Sequence, residues 1–297
     1  MGWQDRDYAR QPTRGGGGRH GGRAFGLGGN SVTTWLLCIN IGVFILDMIL
    51  AGQVGRYVLE TSRGEFYMRP LYAWGHFSIS FAFEQGQLWR LLTFQFLHAD
   101  IMHLFGNMLA MYFFGYMVES WLGSRRYLVF YLLCGFAGIV GLLGFAAGGF
   151  FEVAGWTPMV GASAGIFGIL IAATRIAPNT VVMLLFPPIP MRLRTFAWVL
   201  IGLAAFTVFP SGPNAGGEAA HLGGAALGYL LINHPGLLSF VDAGPRGRRP
   251  SLRTGARPDA QEVNRILDKV RDQGLQSLSE SERRTLQRAT DDQRRAG

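Results

Sequence analysis

Residues 161–168 read Gly-Ala-Ser-Ala-Gly-Ile-Phe-Gly, which places a serine among small residues at the start of an apolar segment. The first five letters fit the pattern G-x-S-x-G, which in soluble α/β proteins requires a strand before the serine and a soluble helix after it. Here apolar stretches of helical length lie on both sides of the motif. The stretch therefore predicts a serine a few residues inside a membrane helix.

The composition agrees with a membrane protein. Of the 297 residues, 49% are hydrophobic and 15% are charged, and the mean hydropathy is +0.22. Soluble domains carry nearer a quarter charged residues. The formal net charge of +8 comes from arginines in the tails and short loops. Beside a membrane such charges set topology, so we predict a lipid bilayer and no nucleic acid as a partner.

Six segments are predicted to be membrane helices, so the expected fold class is all-α: a polytopic bundle of six transmembrane helices with a short cytoplasmic helical tail. The fourth helix is short, because the 14 residues from Gly161 to Thr174, before Arg175, cover only about 21 Å, whereas a hydrocarbon core is about 30 Å thick. One of its ends should therefore start below the membrane surface. The predicted helices are Val32–Ala51, Asp100–Leu122, Tyr127–Ala147, Gly161–Ala177, Leu193–Val208 and Glu218–Ile232.

Polar residues within the first helix, and the composition of two connections, add further predictions to the six-helix pattern. Asn40 and Asp47 in the first helix are predicted to face other helices, since contact with lipid would be costly. The aromatic-rich connection 52–100 is predicted either to lie in the headgroup region or to form a small packed extracellular loop. Residues 178–193 contain Pro187, Pro188 and Pro190 after an apolar run, and these three prolines predict a loop folded back against the bundle rather than a helix.

The chain divides into regions of different composition. The tail has two capping-box pairs, Asp259 with Glu262 and Ser279 with Glu282, which predict two short helices. The predicted regions are a disordered Gly/Arg-rich cytoplasmic arm at 1–30, the six-helix membrane domain at 31–236, a linker at 237–258 and a cytoplasmic helical hairpin at 259–297.

Arginine placement predicts the orientation. With the amino terminus in the cytoplasm, the arginine-rich segments other than the connection 52–100 fall inside, while the short outside loops 148–160 and 209–217 contain no arginine or lysine. Only that long connection breaks this pattern, and long loops follow the charge rule less strictly. Both termini are therefore expected in the cytoplasm. The amino-terminal arm lacks the features of a clear transit peptide, which favours a bacterial plasma membrane over an organelle.

Four polar side chains are predicted to meet at one depth, because the second, fourth and sixth helices all enter from outside. These side chains are His103, Asn107, Ser163 and His221. Histidines within membrane helices are uncommon and usually functional. The two cysteines, Cys38 and Cys134, have no metal or disulfide spacing, so neither a metal nor another cofactor is predicted.

This grouping predicts nucleophilic catalysis. A serine hydroxyl needs an adjacent base, and His221 can serve Ser163 in that way. The side chains of His103 and Asn107, with a backbone N–H of Ser163, could stabilise an oxyanion. Glu218 lies one turn before His221, yet we expect a Ser-His dyad, with Glu218 as the less favoured third member of a triad.

At these residues the chain resembles the rhomboid family of intramembrane serine proteases. The resemblance covers roughly residues 32–235 and is carried by the stretch 161–168, by His103-Leu-Phe-Gly-Asn107 and by Ala220-His221-x-x-Gly224-x-x-x-Gly228, with Trp89-Arg90, Glu119 and Gly123 as further signatures. It implies that Ser163 is the nucleophile, His221 the base and His103 with Asn107 the oxyanion site. The implied substrates are single-span membrane proteins, cut near the outer face at small residues. One departure is Ala164, where many members have glycine.

Two other functions remain open at this stage. A rhomboid-like protein without catalysis could use the same bundle to bind transmembrane clients. A transporter could use His103 and His221 as a proton relay, but the inner halves of the fourth and sixth helices contain few polar groups.

Overall fold

A computed structural model describes residues 31–61, 64–184, 188–209, 212, 214–242 and 260–296. The chain forms two compact units, Met1–Asp242 and Ala243–Gly297. The predicted arm at 1–30 and residues 243–259, which hold most of the predicted linker, lie outside the described residues.

Six helices of 14 or more residues form most of the described part of the first unit. Each begins and ends within about three residues of its predicted bounds. A π-helical stretch, Met111–Gly115, interrupts the second of them. The helices are α1 (Val32–Val54), α2 (Ile101–Leu122), α3 (Ser124–Ala147), α4 (Ser163–Ile176), α5 (Leu193–Val208) and α6 (Ala215–Asn233).

Among the described residues, three helices are long and apolar enough to cross a membrane: α1, α2 and α3. A fourth span is formed if α6 is counted together with the 3-10 helix Pro235–Asp242, which is bent from it by 79°. Both α4 and α5 are shorter apolar helices. The 14 residues of α4 confirm that the helix carrying the serine is short.

Two antiparallel hairpins depart from the all-α expectation. Strands β1 (Tyr57–Thr61) and β2 (Gly64–Met68) pair in the first connection, and β3 (Val181–Met183) pairs with β4 (Pro190–Arg192) between α4 and α5. Strands β1, β2 and β3 contain β-branched or aromatic residues, which favour extended backbone. The prolines after β3 do exclude a helix, as predicted, but the chain turns back as a hairpin.

The connection 52–100 is also packed against the helices. Phe77 and Phe94 are buried in a cluster with Ile139 and Leu142 of α3. Asp47 of α1 is paired with this connection: Arg69 Nε donates to its carboxylate at 3.0 Å, and the N–H of Leu71, in the short helix Pro70–Gly75, donates to it at 2.7 Å. This agrees with the packed-loop alternative for the segment.

Small residues bring α3, α4 and α6 into close contact. A Cβ atom added at Gly224 of α6 would overlap the carbonyl oxygen of Ala164 in α4. A Cβ at Gly228 would lie 2.5 Å from Gly168 Cα, and one at Gly138 of α3 would lie 2.6 Å from Ala164 Cβ. These glycines let the helix backbones approach each other where Ser163 and His221 are located.

Glu119 of α2 holds the start of α1 and the start of α3. Its carboxylate accepts hydrogen bonds from the backbone N–H groups of Val32 at 2.8 Å and Thr33 at 2.9 Å. The hydroxyl groups of Ser31, Thr33 and Ser124 also donate to it, at 2.6–2.7 Å. The free N–H groups and positive dipole end of α1 are therefore satisfied by a carboxylate from another helix.

Replacing Glu119 by glutamine should destabilise the bundle. The amide nitrogen cannot accept the hydrogen bonds of one carboxylate oxygen, so buried donors are left without partners, at a cost of about 2–3 kcal/mol. We expect a lower unfolding temperature in detergent for Glu119→Gln. The exposed Glu84 offers a matched control, because Glu84→Gln makes the same chemical change outside the helix bundle. Equal unfolding temperatures for the two variants would contradict this role.

The second unit contains the predicted pair of helices, α7 (Ala260–Gln273) and α8 (Glu280–Ala296). Ser279 and Glu282 form a reciprocal cap: the N–H of Glu282 donates to Ser279 Oγ at 3.3 Å, and the N–H of Ser279 donates to Glu282 Oε2 at 2.9 Å. The hydrogen bond from the N–H of Ser279, together with the one from Lys269, lowers the pKa of Glu282 to about 2. The other predicted cap residue, Asp259, lies outside the described residues.

Candidate active site

Ser163 and His221 are hydrogen-bonded to each other. Ser163 is the first residue of α4, and its Oγ lies 2.8 Å from Nε2 of His221 in α6. The imidazole stacks on the ring of Phe167, with centroids 4.3 Å apart and planes within 6°. Phe167 lies four residues after Ser163, so α4 supplies both the hydroxyl and the surface that holds the histidine ring.

Glu218 takes part in this arrangement, contrary to the expectation of an isolated dyad. Its Oε2 lies 2.9 Å from Nδ1 of His221, on the opposite side of the ring from Ser163. The two residues are three apart in α6 and therefore lie on one helix face. The spacing was visible in the sequence, but the rotamers that close the contact were not.

His103 and Asn107 of α2 line the same cavity as Ser163 and His221. Gly161, with φ of 130°, brings the chain against His103: a Cβ added there would lie 2.9 Å from His103 Nε2 and 3.4 Å from Ser163 Oγ. The Nδ2 group of Asn107 is buried without a hydrogen-bond partner among the described residues. An unpaired buried donor is costly, so an acceptor brought to this nitrogen would gain a hydrogen bond.

The segment before α4 is anchored by the first connection. Met159 and Phe77 exchange two backbone hydrogen bonds at 2.8 and 3.0 Å. The N–H of Gly161 then donates to the carbonyl oxygen of Phe94 at 2.9 Å. The start of α4, and with it Ser163, is therefore held by a short β-like pairing with a buried loop.

His98, which belongs to none of the sequence motifs, packs against His103. Its ring is buried and lies edge-on to the ring of His103, with centroids 5.2 Å apart. Burial lowers the pKa of His98 to about 3, so its imidazole is neutral near pH 7. Arg69 donates hydrogen bonds to the carbonyl oxygens of His98 and Ala99. A histidine five residues before His103 was the available signal, but the path of the loop was needed to place it.

These residues open into a cavity of about 860 Å³. The loop between α3 and α4 contributes Phe151 and Glu152 to its wall, and the loop before α6 contributes Gly212 and Asn214. Within the described residues, no group of three or more His, Cys, Asp or Glu side chains is placed to hold a metal ion. The site therefore combines a hydroxyl, an imidazole and unpaired donors in a space large enough for a peptide segment.

The fold and the site define a class of protein. It is a helical membrane protein in which two closely packed helices bring a serine and a histidine together. The Rhomboid domain family matches residues 85–234, which is half of the chain. The chain belongs to the rhomboid family. A second family model also matches: DUF6576, a family of unknown function, matches residues 257–290 in the tail.

Several curated proteins are similar to the chain. Rhomboid protease GluP of Bacillus subtilis is 31% identical over 193 residues, covering 65% of this chain and 34% of that protein. Rhomboid protease AarA of Providencia stuartii is 26% identical over 228 residues, covering 71% of this chain and 76% of that protein. RHOMBOID-like protein 1 of Arabidopsis thaliana is 28% identical over 212 residues, covering 66% of this chain and 51% of that protein. The chain thus spans about half the length of this plant relative.

Proposed function

We propose that the protein is an intramembrane serine endopeptidase that cleaves transmembrane segments of other membrane proteins. The observation that carries this proposal is the 2.8 Å contact between Ser163 Oγ and His221 Nε2 inside an apolar helix bundle. Serine is a poor nucleophile unless a base takes its proton, and imidazole is the usual base. Two relatives named as rhomboid proteases support the same reaction.

In the proposed reaction Ser163 Oγ attacks the carbonyl carbon of the scissile peptide bond while its proton passes to His221 Nε2. The negative charge that develops on the carbonyl oxygen needs donors that are already in place. Asn107 Nδ2, the His103 ring and the N–H of Ser163 can supply them. His221 then gives the proton to the leaving amine, and water hydrolyses the acyl-enzyme by the same route.

The proposed setting is a six-span bundle with both termini in the cytoplasm. The short helices α4 and α5 would then count as spans because they pack among longer ones. Ser163 starts α4, so it would lie below the outer surface, where the cavity opens between the loops before α4 and α6. The proposed substrates are single-span membrane proteins cut near that face, and the proposed location is a bacterial plasma membrane, although relatives include mitochondrial proteins.

A fluorophosphonate probe tests the proposal directly. The full chain, purified in detergent, should become covalently labelled, and peptide mass spectrometry should place the label on Ser163. Protein unfolded by heat before the probe is added should remain unlabelled, because the serine is activated only by the folded site. A folded protein that takes no label on Ser163 would favour the non-catalytic rhomboid-like binder of transmembrane clients.

Asn107→Ala should slow the reaction without preventing labelling. Loss of one oxyanion donor costs about 10²–10³-fold in rate, so we expect substrate cleavage to fall by about that factor while the folded protein remains intact. The measurement is the initial rate of cleavage of a single-span reporter. Asn233→Ala, at the far end of α6, is the matched control and should leave the rate unchanged. Equal rates in both variants would remove Asn107 from the proposed mechanism.

A further inference from the structure

We infer that Glu218 is a positioning residue that holds His221 in the tautomer required to accept the proton of Ser163. The inference rests on the proposed function, because it concerns the same proton transfer. It is carried by two contacts on opposite sides of one ring: His221 Nε2 to Ser163 Oγ at 2.8 Å, and His221 Nδ1 to Glu218 Oε2 at 2.9 Å.

The two contacts select one tautomer. A neutral imidazole has one nitrogen that donates and one that accepts. An ionised carboxylate only accepts, so Nδ1 must carry the hydrogen that donates to Glu218. Nε2 is then left with its lone pair facing Ser163 Oγ, which is the state that a general base needs. When Nε2 takes the proton, the carboxylate also stabilises the imidazolium that forms.

Stacking on Phe167 cannot do this alone. The stack fixes the plane of the imidazole, at 6° from the Phe167 ring. A half-turn of the imidazole about its bond to Cβ keeps the same plane but exchanges the nitrogen and carbon positions. The hydrogen bonds distinguish the two orientations, and the one from Nδ1 to Glu218 does so independently of the contact between Nε2 and Ser163.

The surroundings are consistent with a dedicated role. Glu218 lies in the first turn of α6, where the helix dipole favours a negative charge. It is half-buried, which strengthens its interaction with the ring compared with an exposed pair. Within the described part of the chain, His221 is the hydrogen-bond partner of its carboxylate. Removal of the carboxylate therefore affects the ring more directly than it affects the packing of the bundle.

The test compares Glu218→Gln, Glu218→Ala and Glu218→Asp in the full chain, with Glu84→Gln as the matched control. The readouts are kcat and KM for a single-span reporter in detergent, and the unfolding temperature of each variant. We expect kcat to fall about tenfold or more in Glu218→Gln and further in Glu218→Ala, with KM within about twofold of the parent value. Glu218→Asp keeps the charge and should recover part of the lost kcat, and the control should equal the parent.

Two results would overturn the inference while leaving the proposed function intact. One is an unchanged kcat in a folded Glu218→Gln or Glu218→Ala variant of a chain that still labels on Ser163. The other is a loss in Glu218→Asp equal to that in Glu218→Ala and accompanied by a matching fall in unfolding temperature, which would indicate a structural role. If the glutamine variant does not fold, the alanine and aspartate variants decide the question. A parent chain that neither labels nor cleaves would instead refute the proposed function.

Discussion

Ser163→Ala should abolish both cleavage and fluorophosphonate labelling. The substitution removes the Oγ atom that lies 2.8 Å from His221 Nε2, and no covalent intermediate can form without it. In serine hydrolases, loss of the nucleophile lowers kcat on the order of 10⁴-fold or more. The expected result is therefore cleavage below detection at an unchanged unfolding temperature, since the change removes one half-buried hydroxyl.

The matched control for this prediction is Ser120→Ala. Ser120 is an exposed serine of α2 whose hydroxyl donates to the carbonyl oxygen of Met117. Its loss should leave cleavage and labelling at the parent level. The measurement is cleavage of a small panel of single-span proteins, followed by mass spectrometry of the products. Continued cleavage by Ser163→Ala at more than a trace would mean that another group performs the reaction.

Gly224→Ala should inactivate the protein although it adds only one methyl group. The new Cβ would overlap the carbonyl oxygen of Ala164, the residue that follows Ser163. Because the obstacle is helix backbone, α4 and α6 must move apart, and Ser163 moves away from His221. A displacement of about 1 Å at a reacting group can cost about 10²-fold in rate. Overpacking of this kind also costs about 1–3 kcal/mol of stability.

Gly202→Ala is the control for the helix-packing prediction. Gly202 lies within α5, and a Cβ added there has no atom within 4 Å. Alanine is favoured over glycine in a helix by about 1 kcal/mol, so this variant should be as stable as the parent or more stable, with full activity. The comparison uses reporter cleavage, labelling of Ser163 and the unfolding temperature. Parent-like activity in Gly224→Ala would show that the close approach of α4 and α6 does not hold the site together.

The helices could be predicted because they depend on local composition. Apolar runs of sufficient length define α1 to α6, and arginines and small residues mark their ends and contact faces. The grouping of His103, Asn107, Ser163 and His221 followed from depth alone, because three helices that enter from one side place their first turns together. The structure places all four around one cavity.

What could not be predicted depends on the path of the connections and on side-chain rotamers. The strand pairing of Val181–Met183 with Pro190–Arg192 joins two segments that lack a clear alternating pattern. His98 reaches His103 through the path of the loop, which Arg69 holds by its ion pair with Asp47 and its hydrogen bond to the carbonyl oxygen of His98. Glu218 stood at a suitable spacing from His221, but spacing does not determine which way a flexible carboxylate side chain points.

The separation of Ser163 from His221 along the chain has a consequence for biosynthesis. The two residues are 58 positions apart, and they lie in α4 and α6. At about 5–20 residues per second, the ribosome adds His221 roughly 3–12 s after Ser163. During that interval the proposed nucleophile lacks its proposed base, and the glycines of α6 that pack against α4 have not yet been added. Under the proposed mechanism, the newly made chain therefore cannot cleave neighbouring membrane proteins until its sixth helix has been synthesised and packed.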